Sequence, residues 1–332
     1  MTILVTGFSG LAGMRVCQRL AHDGVSVRGV VRSPASAGTF CQQVAVGFIG
    51  QATNWQQALL NVDGVVHCAA RVHVMHESES DPLTAFRSVN VDGTLNLARQ
   101  SATAGVRRFV FISSVKVNGE STQAGCAFTE ADLPNPQDAY GHSKHEAEQG
   151  LRQIATDTGM EVVIIRPPLV YGPGVKANFA ALMRAVQRGW PLPLGAVHNQ
   201  RSLVALDNLV DFIVTCLAHS EAANQTFLIS DGHDLSTPEL VRDMAQAAGV
   251  SARLLLVPMW ALRAGAAMLG KRHAMQRLCG NLQVDISKAR TLLGWVPPIS
   301  VAQGLHLAMT GKALQSLTDN TDKPMRTAKT LR

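Results

Sequence analysis

The sequence is poor in aromatic and charged residues. Of its 332 residues, 5% are Phe, Trp or Tyr, only two of them Tyr, and 16% are Asp, Glu, Lys or Arg. The 46% hydrophobic content still supports a large buried core, which excludes a disordered or fibrous chain. The net charge of +6 is mild, and the basic residues are scattered along the chain. This balance suits a small anionic ligand at least as well as a nucleic acid, and we expect no nucleic-acid partner.

Paired cysteines and long apolar runs are also missing. The six cysteines lie far apart without a CxxC pair, so we expect free, mostly buried thiols and neither a metal site nor disulfides. No run approaches the ~20 apolar residues of a membrane span. Glycines follow the first strand too soon for a signal-peptide core. These absences together predict a cytoplasmic protein with no membrane span.

Short β-branched runs alternate with helix-period segments through the first half of the chain. The predicted strands are Ile3 to Thr6, Val25 to Val31, Val44 to Ile49, Gly64 to Cys68, Arg108 to Ile112 and Glu161 to Ile165. The predicted helices are Leu11 to His22, Trp55 to Leu60, Pro82 to Ala104 and Asp138 to Thr158. Apolar strands separated by helices predict an α/β fold with a Rossmann-type, doubly wound parallel sheet.

A glycine-rich loop follows the first strand and opens the first helix. The loop is Gly7-Phe8-Ser9-Gly10-Leu11-Ala12-Gly13. Glycines there allow a tight turn and a close approach of backbone N–H groups to a pyrophosphate, whose charge the helix N-terminus favours. The spacing is GxxGxxG rather than the common GxGxxG, and its strand–turn–helix setting predicts a dinucleotide site.

The end of the second strand bears on which dinucleotide binds. An Asp or Glu there would bind the ribose 2′-hydroxyl of NAD, whereas this strand ends Val30-Val31-Arg32-Ser33. Arg32 therefore favours the 2′-phosphate of NADP(H), with NAD(H) as the alternative.

The second half of the chain has Gly/Pro-rich loops and fewer strand patterns. We predict an NAD(P)-binding domain over residues 1–170, with a returning segment at about 203–230. A smaller substrate-binding lobe would comprise residues 171–202 and 231–315, followed by a polar tail over 316–332.

A tyrosine and a lysine begin the long helix at position 138. Tyr140 and Lys144 are four residues apart and so share one helix face. An adjacent ammonium group favours a phenolate, so we expect Lys144 to lower the pKa of Tyr140. Tyr140 would then act as general acid or base, and a hydroxyl of Ser113-Ser114 could bind the same substrate oxygen.

Taken together, these motifs resemble the extended short-chain dehydrogenase/reductases, in the branch of NAD-dependent nucleotide-sugar epimerases and dehydratases. The resemblance covers residues 2 to 312. It is carried by the glycine loop, His67-Cys68-Ala69-Ala70, Asn90-Val91-Asp92-Gly93-Thr94, Ser113-Ser114, Tyr140 to Lys144, and Arg166-Pro167-Pro168-Leu169-Val170-Tyr171-Gly172-Pro173.

The resemblance implies roles for individual residues. Ser114, Tyr140 and Lys144 would form the catalytic triad, and Asn90 would hold a water and a helix backbone near the lysine. The implied substrate is a nucleotide-diphosphate sugar. Its contacts would be Ser113, Ser114, Tyr140, Asn178, Arg201 and Arg277. The implied cofactor contacts are Gly7, Phe8, Ser9, Gly10, Leu11, Gly13, Arg32, Cys68, Ala69, Ala70, Tyr140, Lys144 and Pro167. A homodimer through the helices at 82–104 and 138–158 is also implied.

Departures from the family pattern narrow the reaction. The 4,6-dehydratases follow the catalytic hydroxyl with Asp-Glu, whereas Val115 and Lys116 follow Ser114, which disfavours dehydration. The acidic residue near the adenine, which usually follows a glycine, is replaced by Phe48 after Gly47.

Two reactions at C4 of a UDP-hexose remain. A reductase would deliver a hydride from NAD(P)H to a UDP-4-keto-6-deoxy-N-acetylhexosamine, giving a UDP-N-acetylquinovosamine type of product for O-antigen or other surface polysaccharide. Arg32 makes this the favoured expectation. The alternative is a UDP-glucose or UDP-N-acetylglucosamine 4-epimerase with tightly bound NAD. Outside these, a non-catalytic NADP sensor would lack the Tyr/Lys pair, and a hydroxysteroid dehydrogenase would lack phosphate-binding residues at Asn178 and Arg201.

Overall fold

The computed structural model describes residues 1–33, 40–72, 82–268, 270 and 272–311. The strands are β1 Thr2–Thr6, β2 Ser26–Val31, β3 Gln42–Ala45, β4 Gly64–His67, β5 Arg108–Ile112, β6 Glu161–Arg166, β7 Leu169–Tyr171, β8 Leu203–Ala205 and β9 Thr226–Leu228. The α-helices are α1 Leu11–His22, α2 Pro82–Arg87, α3 Thr94–Thr103, α4 Ala139–Thr158, α5 Ala177–Gln187, α6 Leu206–Ala218, α7 Thr237–Ala247, α8 Met259–Met268, α9 Arg272–Cys279, α10 Ser287–Leu293 and α11 Val301–Thr310.

Seven strands form one parallel sheet in the order β3-β2-β1-β4-β5-β6-β9. The strand order changes direction at β1, because β2 and β3 are added on one side of it and β4, β5 and β6 on the other. A crevice opens beyond the carboxyl ends of β1 and β4, where α/β proteins bind their ligands. The glycine loop follows β1, and Cys68 follows β4. The topology therefore brings both predicted cofactor segments to one edge.

Helices cover both faces of this sheet. On one face α1 and α6 pack over β-strand side chains, in a core that includes Val16, Phe212 and Val110. On the other, α3 and α4 contribute Leu97 and Leu151 to a second core. The doubly wound Rossmann-type fold expected from the alternation is thus confirmed, because strands buried on both faces need an apolar layer on each.

The second half of the chain builds a third core beside the sheet's carboxyl edge. The strands β7 and β8 form a separate parallel pair, and helices α5, α7 and α11 pack around it. Tyr171 lies buried at the end of β7, where its hydroxyl donates a 2.7 Å hydrogen bond to Asp231. In the returning segment, β9 joins the main sheet and α6 packs on one face of it. The bounds predicted for the two domains stay predictions. The predicted tail at 316–332 lies outside the described residues.

Three local predictions differ from the structure. Residues 55–60 form turns rather than a helix, because a segment this short cannot offset the cost of helix nucleation and Asn61 then takes φ 55°. The third strand ends at Ala45 rather than Ile49, since Gly47 adopts φ 72° and leaves the pleat. The cysteines are free, but only Cys17 and Cys216 are buried; Cys126 is exposed and the other three are partly exposed.

The predicted helix over 82–104 is a continuous helical run with a change of winding. Its middle, Ser88–Gly93, is π-helical and lies between α2 and α3. Single π-helical turns are often found at functional sites, and this one carries Asn90. In the part of the chain that the structure describes, every helix is too short or too polar to cross a bilayer.

Candidate functional site

Two of the loop glycines are required by geometry. Gly7 has φ 71°, and a Cβ there would lie 2.8 Å from the Ala69 backbone nitrogen. A Cβ on Gly13 would overlap the carbonyl oxygen of Gly7, so the first turn of α1 can pack against the loop only without a side chain. Gly10 caps α1 without a side-chain hydrogen bond, and the first turn carries no acid. Backbone N–H groups at this end of α1 are therefore suited to bind a phosphate.

A cleft of about 390 Å³ opens in front of this loop. Of the predicted cofactor residues, Gly7, Ser9, Gly10, Arg32, Cys68, Ala69 and Ala70 line it. Arg32 is exposed at the end of β2. No acidic residue is among the described side chains that line the cleft. The residues present fit a dinucleotide, because a glycine cradle and a helix N-terminus coincide with a cleft that has no acidic side chain among its described lining residues.

Other predicted cofactor residues do not line this cleft. The Phe8 side chain points into the core, where its ring lies 5.9 Å from that of Phe40 and fills the space beside Gly29. Leu11 packs against the same core, and Gly13 is buried under the loop. The Phe8 side chain therefore faces the core, so any cofactor contact of Phe8 would be through its backbone, and the cofactor roles of Leu11 and Gly13 stay predictions. Pro167 follows β6, where its carbonyl oxygen accepts from the Val115 N–H at 3.0 Å.

A buried histidine joins β1 and β4 below the cleft. The Nδ1 atom of His67 lies 2.7 Å from Thr6 Oγ1, and its Nε2 atom lies 2.9 Å from Thr94 Oγ1. Burial lowers the pKa of His67 to about 3, and the charge of Lys144 acts in the same direction. His67 is therefore neutral at physiological pH. Its ring hydrogen-bonds to Thr6, whose hydroxyl oxygen also accepts from the Ala69 N–H, and so helps to position the segment after β4.

The two serines after β5 have different environments. Ser114 caps a one-turn 3₁₀-helix, Val115–Val117, where its hydroxyl oxygen accepts from the Lys116 N–H at 3.2 Å. Its O–H can still donate to a substrate oxygen. Ser113 is buried, and its hydroxyl donates to Glu148 Oε1 at 2.6 Å. The expected substrate contact of Ser113 does not fit this geometry, because its donor is committed to a buried carboxylate.

Glu148 and Arg166 form a buried ion pair behind these serines. The Arg166 guanidinium donates to both carboxylate oxygens, with Nε–Oε1 2.9 Å and Nη2–Oε2 2.6 Å. It also donates to Asn118 Oδ1 at 3.0 Å. The two guanidinium bonds, with the Ser113 hydroxyl, hold the pKa of Glu148 below its ordinary value despite desolvation. The pair ties α4 to the ends of β5 and β6, which carry the serines and Pro167.

The Tyr/Lys pair lies on the first turns of α4. Asp138 caps this helix by accepting from the Gly141 N–H at 2.7 Å. The Nζ atom of Lys144 is buried, donates to the Ile112 carbonyl oxygen at 2.7 Å, and lies 4.4 Å from the centroid of the Phe111 ring. Tyr140 is partly exposed, and its ring centroid is 5.8 Å from that Nζ atom. The helix places the lysine beneath the tyrosine, as the spacing predicts.

The prediction that Lys144 lowers the pKa of Tyr140 is wrong. Its pKa is raised, first because burial opposes the phenolate and second because Asp138 adds negative charge nearby. Burial also lowers the pKa of Lys144 to about 8, an effect that Cys68 and Glu148 counteract. The pair thus combines a phenol that keeps its proton with an ammonium that is mostly charged at pH 7 and loses its proton near pH 8.

Asn90 holds two parts of the site together. Its side chain exchanges hydrogen bonds with the backbone of Arg71, from the Arg71 N–H at 2.8 Å and to the Arg71 carbonyl at 3.0 Å. It also donates to Ser143 Oγ at 3.0 Å, and Ser143 in turn donates to the Tyr140 carbonyl. Asn90 therefore fixes the tyrosine helix against the chain after β4.

A second cleft, of about 640 Å³, is lined by residues that precede α4 and by residues of α9. Its lining includes Gly119, Glu120, Asp138 and, from α9, Arg277. Asp138 and Glu120 both pair with the Lys116 ammonium. The predicted Arg277 therefore faces a cleft that begins two residues from Tyr140.

Arg201 and Asn178 lie outside the lining of this cleft. Arg201 Nη1 donates to the Gly280 carbonyl at 2.9 Å, and desolvation lowers the pKa of its guanidinium. Asn178 is exposed in the first turn of α5, after Ala177 with φ 56°. Their substrate roles stay predictions.

Sequence reasoning missed several lining residues. Gly47, Phe48 and Ile49 line the cofactor cleft at the position where the family's acid was sought, and Phe48 is 67% exposed. Arg71, after the Cys68 to Ala70 segment, lines the same cleft. Gly47 was the available signal, because it marks the end of β3 at the carboxyl edge of the sheet.

Comparisons with known proteins identify the family of the chain. The model of the NAD dependent epimerase/dehydratase family matches residues 3–230. A protein of Vibrio cholerae named UDP-glucose 4-epimerase is 49% identical over 307 residues, covering 91% of this chain and 93% of that protein.

Two solved structures share the fold. The UDP-glucuronic acid 4-epimerase of Bacillus cereus has a TM-score of 0.74 at 22% identity, covering 93% of this chain and 95% of that one. The UDP-glucose 4-epimerase of Thermotoga maritima has a TM-score of 0.74 at 24% identity, covering 93% of this chain and 97% of that one. With the glycine cradle and the Tyr140/Lys144 pair at the carboxyl edge of a parallel sheet, the chain belongs to the NAD-dependent epimerase/dehydratase family of extended short-chain dehydrogenase/reductases, which are enzymes that use a nicotinamide cofactor.

Proposed function

We propose that this chain is a nucleotide-sugar 4-epimerase that inverts the C4 hydroxyl of a UDP-hexose with retained NAD. The observation that carries the proposal is the 49% identity, over 91% of the chain, with the Vibrio cholerae protein named UDP-glucose 4-epimerase. This changes the preference formed from the sequence, in which Arg32 favoured a reductase. Epimerisation and reduction share one C4 proton site, so the catalytic residues fit either reaction.

Tyr140 moves the proton at the C4 oxygen in this proposal. Its raised pKa keeps the phenol protonated in the resting protein, which suits donation to a C4 keto oxygen. When bound, the oxidised nicotinamide accepts a hydride, and its positive charge favours the phenolate needed to take the C4 hydroxyl proton. Ser114 donates to the same oxygen, and Lys144 holds positive charge under the ring.

The two clefts divide the ligand contacts. The glycine loop, Arg32 and the segment Cys68 to Ala70 hold the dinucleotide, and Arg277 binds the diphosphate of the sugar nucleotide from α9. In this proposal Asn178 and Arg201 also contact the substrate when it is bound. A homodimer through α3 and α4 belongs to the same proposal.

The experiment that tests the proposal follows hydrogen at C4. With UDP-galactose carrying deuterium at C4 and no added cofactor, the purified protein is expected to give UDP-glucose that retains the label, because one hydride leaves and returns. Denaturation of the same preparation should release NAD, seen by its absorbance. Turnover of a UDP-4-keto-6-deoxy sugar only with added NADPH, and no conversion of UDP-galactose, would contradict the proposal.

That second outcome would support the 4-reductase. One observation favours this second candidate, since Arg32 lines the cofactor cleft and no acid is among the described lining residues. A 2′-phosphate would meet a guanidinium at that place rather than a carboxylate.

Replacing Arg32 by alanine tests the cofactor directly. If its guanidinium binds the 2′-phosphate, the ratio of NADPH to NADH affinity should fall by about 10- to 100-fold, since a charge-assisted hydrogen bond of this kind contributes about 1.5–3 kcal/mol. The measurement is a Kd for each cofactor by fluorescence titration. Arg99→Ala, an exposed arginine of α3 outside the cleft, is the control. An unchanged ratio in Arg32→Ala would remove the argument for NADP.

A further inference from the structure

The helix α8 presents apolar side chains to solvent. Its only charged residue is Arg263, and it contains no buried residue. Trp260 is 74% exposed and Met268 is 89% exposed. With the exposed Ala264 between them, they are spaced four residues apart and so lie on one side of the helix. Met259 and Leu262 of the same helix pack against the third core, so α8 is apolar on its outer side as well as on its inner side, whereas an ordinary surface helix is polar outside.

Adjoining segments extend this apolar surface. Leu256 is 79% exposed just before α8. The chain around Leu192 runs beside it, because the Leu192 N–H donates to the Arg253 carbonyl at 2.8 Å and the Gly195 N–H to the Leu255 carbonyl at 2.9 Å. We name as the apolar face the exposed side chains Trp190, Leu255, Leu256, Trp260 and Met268. Soluble monomers seldom leave such residues together in water unless the surface binds something.

The charge around the apolar face is one-sided. No Asp or Glu occurs between Asp243 and Asp285, while the same stretch contains Arg253, Arg263, Lys271, Arg272 and Arg277. The stretch between Glu161 and Asp207 likewise lacks acids and contains Arg166, Lys176, Arg184, Arg188 and Arg201. The overall charge of +6 is therefore a local excess in the second half of the chain.

Three exposed arginines of these stretches adjoin the apolar face. Arg253 and Arg263 are exposed in the same segment and helix, and the Arg188 guanidinium lies 5.5 Å from the centroid of the Trp190 ring. A partner for this surface must accept apolar side chains and carry negative charge at the same level. A second copy of the face would bring arginines against arginines, which opposes self-association.

We propose that the apolar face docks this protein on an anionic membrane surface. Trp260, Leu256 and Met268 enter the boundary between headgroups and acyl chains, and Arg253 and Arg263 pair with lipid phosphates. The docking is peripheral, since α8 spans only ten residues. The proposal does not depend on the reaction catalysed.

The same docking orients the substrate cleft. Gln276 of α9 lines both the groove of about 530 Å³ between α8 and α9 and the cleft that contains Arg277. A membrane at the apolar face therefore lies beside one wall of the cleft. Substrate and product would then exchange close to the lipid surface.

Vesicle flotation of the full chain tests the proposal. Vesicles of phosphatidylcholine with about 30 mol% phosphatidylglycerol should carry the protein, pure phosphatidylcholine vesicles should not, and added salt should release it. Trp260→Glu/Met268→Glu should reduce the bound fraction about tenfold, because it places charge where apolar contact is needed. Arg253→Gln/Arg263→Gln, which leaves the apolar side chains in place, should reduce binding to the anionic vesicles.

A matched control separates docking from general damage. Leu60 is 59% exposed and lies between β3 and β4, in a part of the chain outside the apolar face. The Leu60→Glu variant should float with the vesicles as the unmodified protein does. The circular dichroism spectrum and the midpoint of denaturant unfolding should be unchanged in all variants, which shows that they are folded. Equal binding to neutral vesicles, or undiminished binding of both double variants, would overturn the proposal. The proposal would also be overturned if the protein did not bind vesicles and instead formed a dimer that the double variant Trp260→Glu/Met268→Glu dissociates.

Discussion

Replacing Tyr140 by phenylalanine is expected to lower kcat about 10²–10⁴-fold while cofactor binding and folding stay nearly unchanged. The substitution removes only the phenolic oxygen, and Tyr140 lies two residues after Asp138, which lines the second cleft. The ring packs edge-on against Phe86 at 6.1 Å between centroids, a contact that Phe retains. The loss would therefore report the proton transfer at C4 rather than a change in packing.

The other tyrosine of the chain provides the control. Tyr171 is buried, and its hydroxyl donates to Asp231 at 2.7 Å in a network that includes Asn208. Tyr171→Phe leaves a buried carboxylate with one partner fewer, so it should lower the free energy of unfolding by about 1–3 kcal/mol with little effect on kcat. Near-normal turnover of Tyr140→Phe would rule out Tyr140 as the acid/base.

Replacing Glu148 by glutamine is expected to lower the free energy of unfolding by about 3–5 kcal/mol, because it leaves the Arg166 charge buried without its counter-ion. The two side chains are 0% and 3% exposed, so water cannot replace the missing carboxylate charge. Denaturant unfolding followed by circular dichroism measures the effect. Activity should fall as well, since the pair supports the strand ends that carry Ser114 and Pro167.

A substitution two residues away in the same helix is the control. Glu146 pairs with Arg87 in solvent, with the two side chains 30% and 47% exposed, and Glu146→Gln should cost less than about 1 kcal/mol. The double variant Glu148→Leu/Arg166→Met should be more stable than Glu148→Gln, since it leaves no unpaired charge. Equal stabilities of Glu148→Gln and Glu146→Gln would show that the buried pair contributes no more than a surface pair.

The same pair predicts a dependence on pH. The folded-state pKa of Glu148 lies below its ordinary value of 4.5, so the unfolded chain binds more protons in the interval between the two values. Stability from this carboxylate is complete above about 4.5 and is lost as the pH falls through the folded-state pKa. The difference between the unmodified protein and Glu148→Gln should therefore be constant near neutrality and narrow in acid.

Periodicity located the long elements and missed the short ones. The helix Leu11–His22 and the strand Arg108–Ile112 begin and end where the pattern places them, because each forms a complete apolar run against the sheet. The strands β7, β8 and β9 have three residues each, which is too few to show a period. Pairing with distant segments makes them strands, and that information is absent from a local window.

The candidate site shows a similar division. Spacing alone places Lys144 under Tyr140, since one helix turn separates them. Spacing could not give the direction of the Tyr140 pKa, because desolvation exceeds the effect of a single ammonium group and depends on what covers the ring. Nor could it show that Ser113 points to Glu148, a residue that lies 35 positions away in the sequence.

The sequence by itself determined the glycine cradle, the order of strands and helices, and the Tyr140/Lys144 pair, because each depends on residues close together in the chain. Tertiary structure decided that the Ser113 hydroxyl is committed to Glu148, that Arg32 and Phe48 border one cleft, and that Arg277 lines the cleft that includes Asp138. It also places exposed arginines beside exposed apolar side chains, which the total charge of +6 does not reveal. Burial and charge contact act through space, so only the folded chain sets their balance.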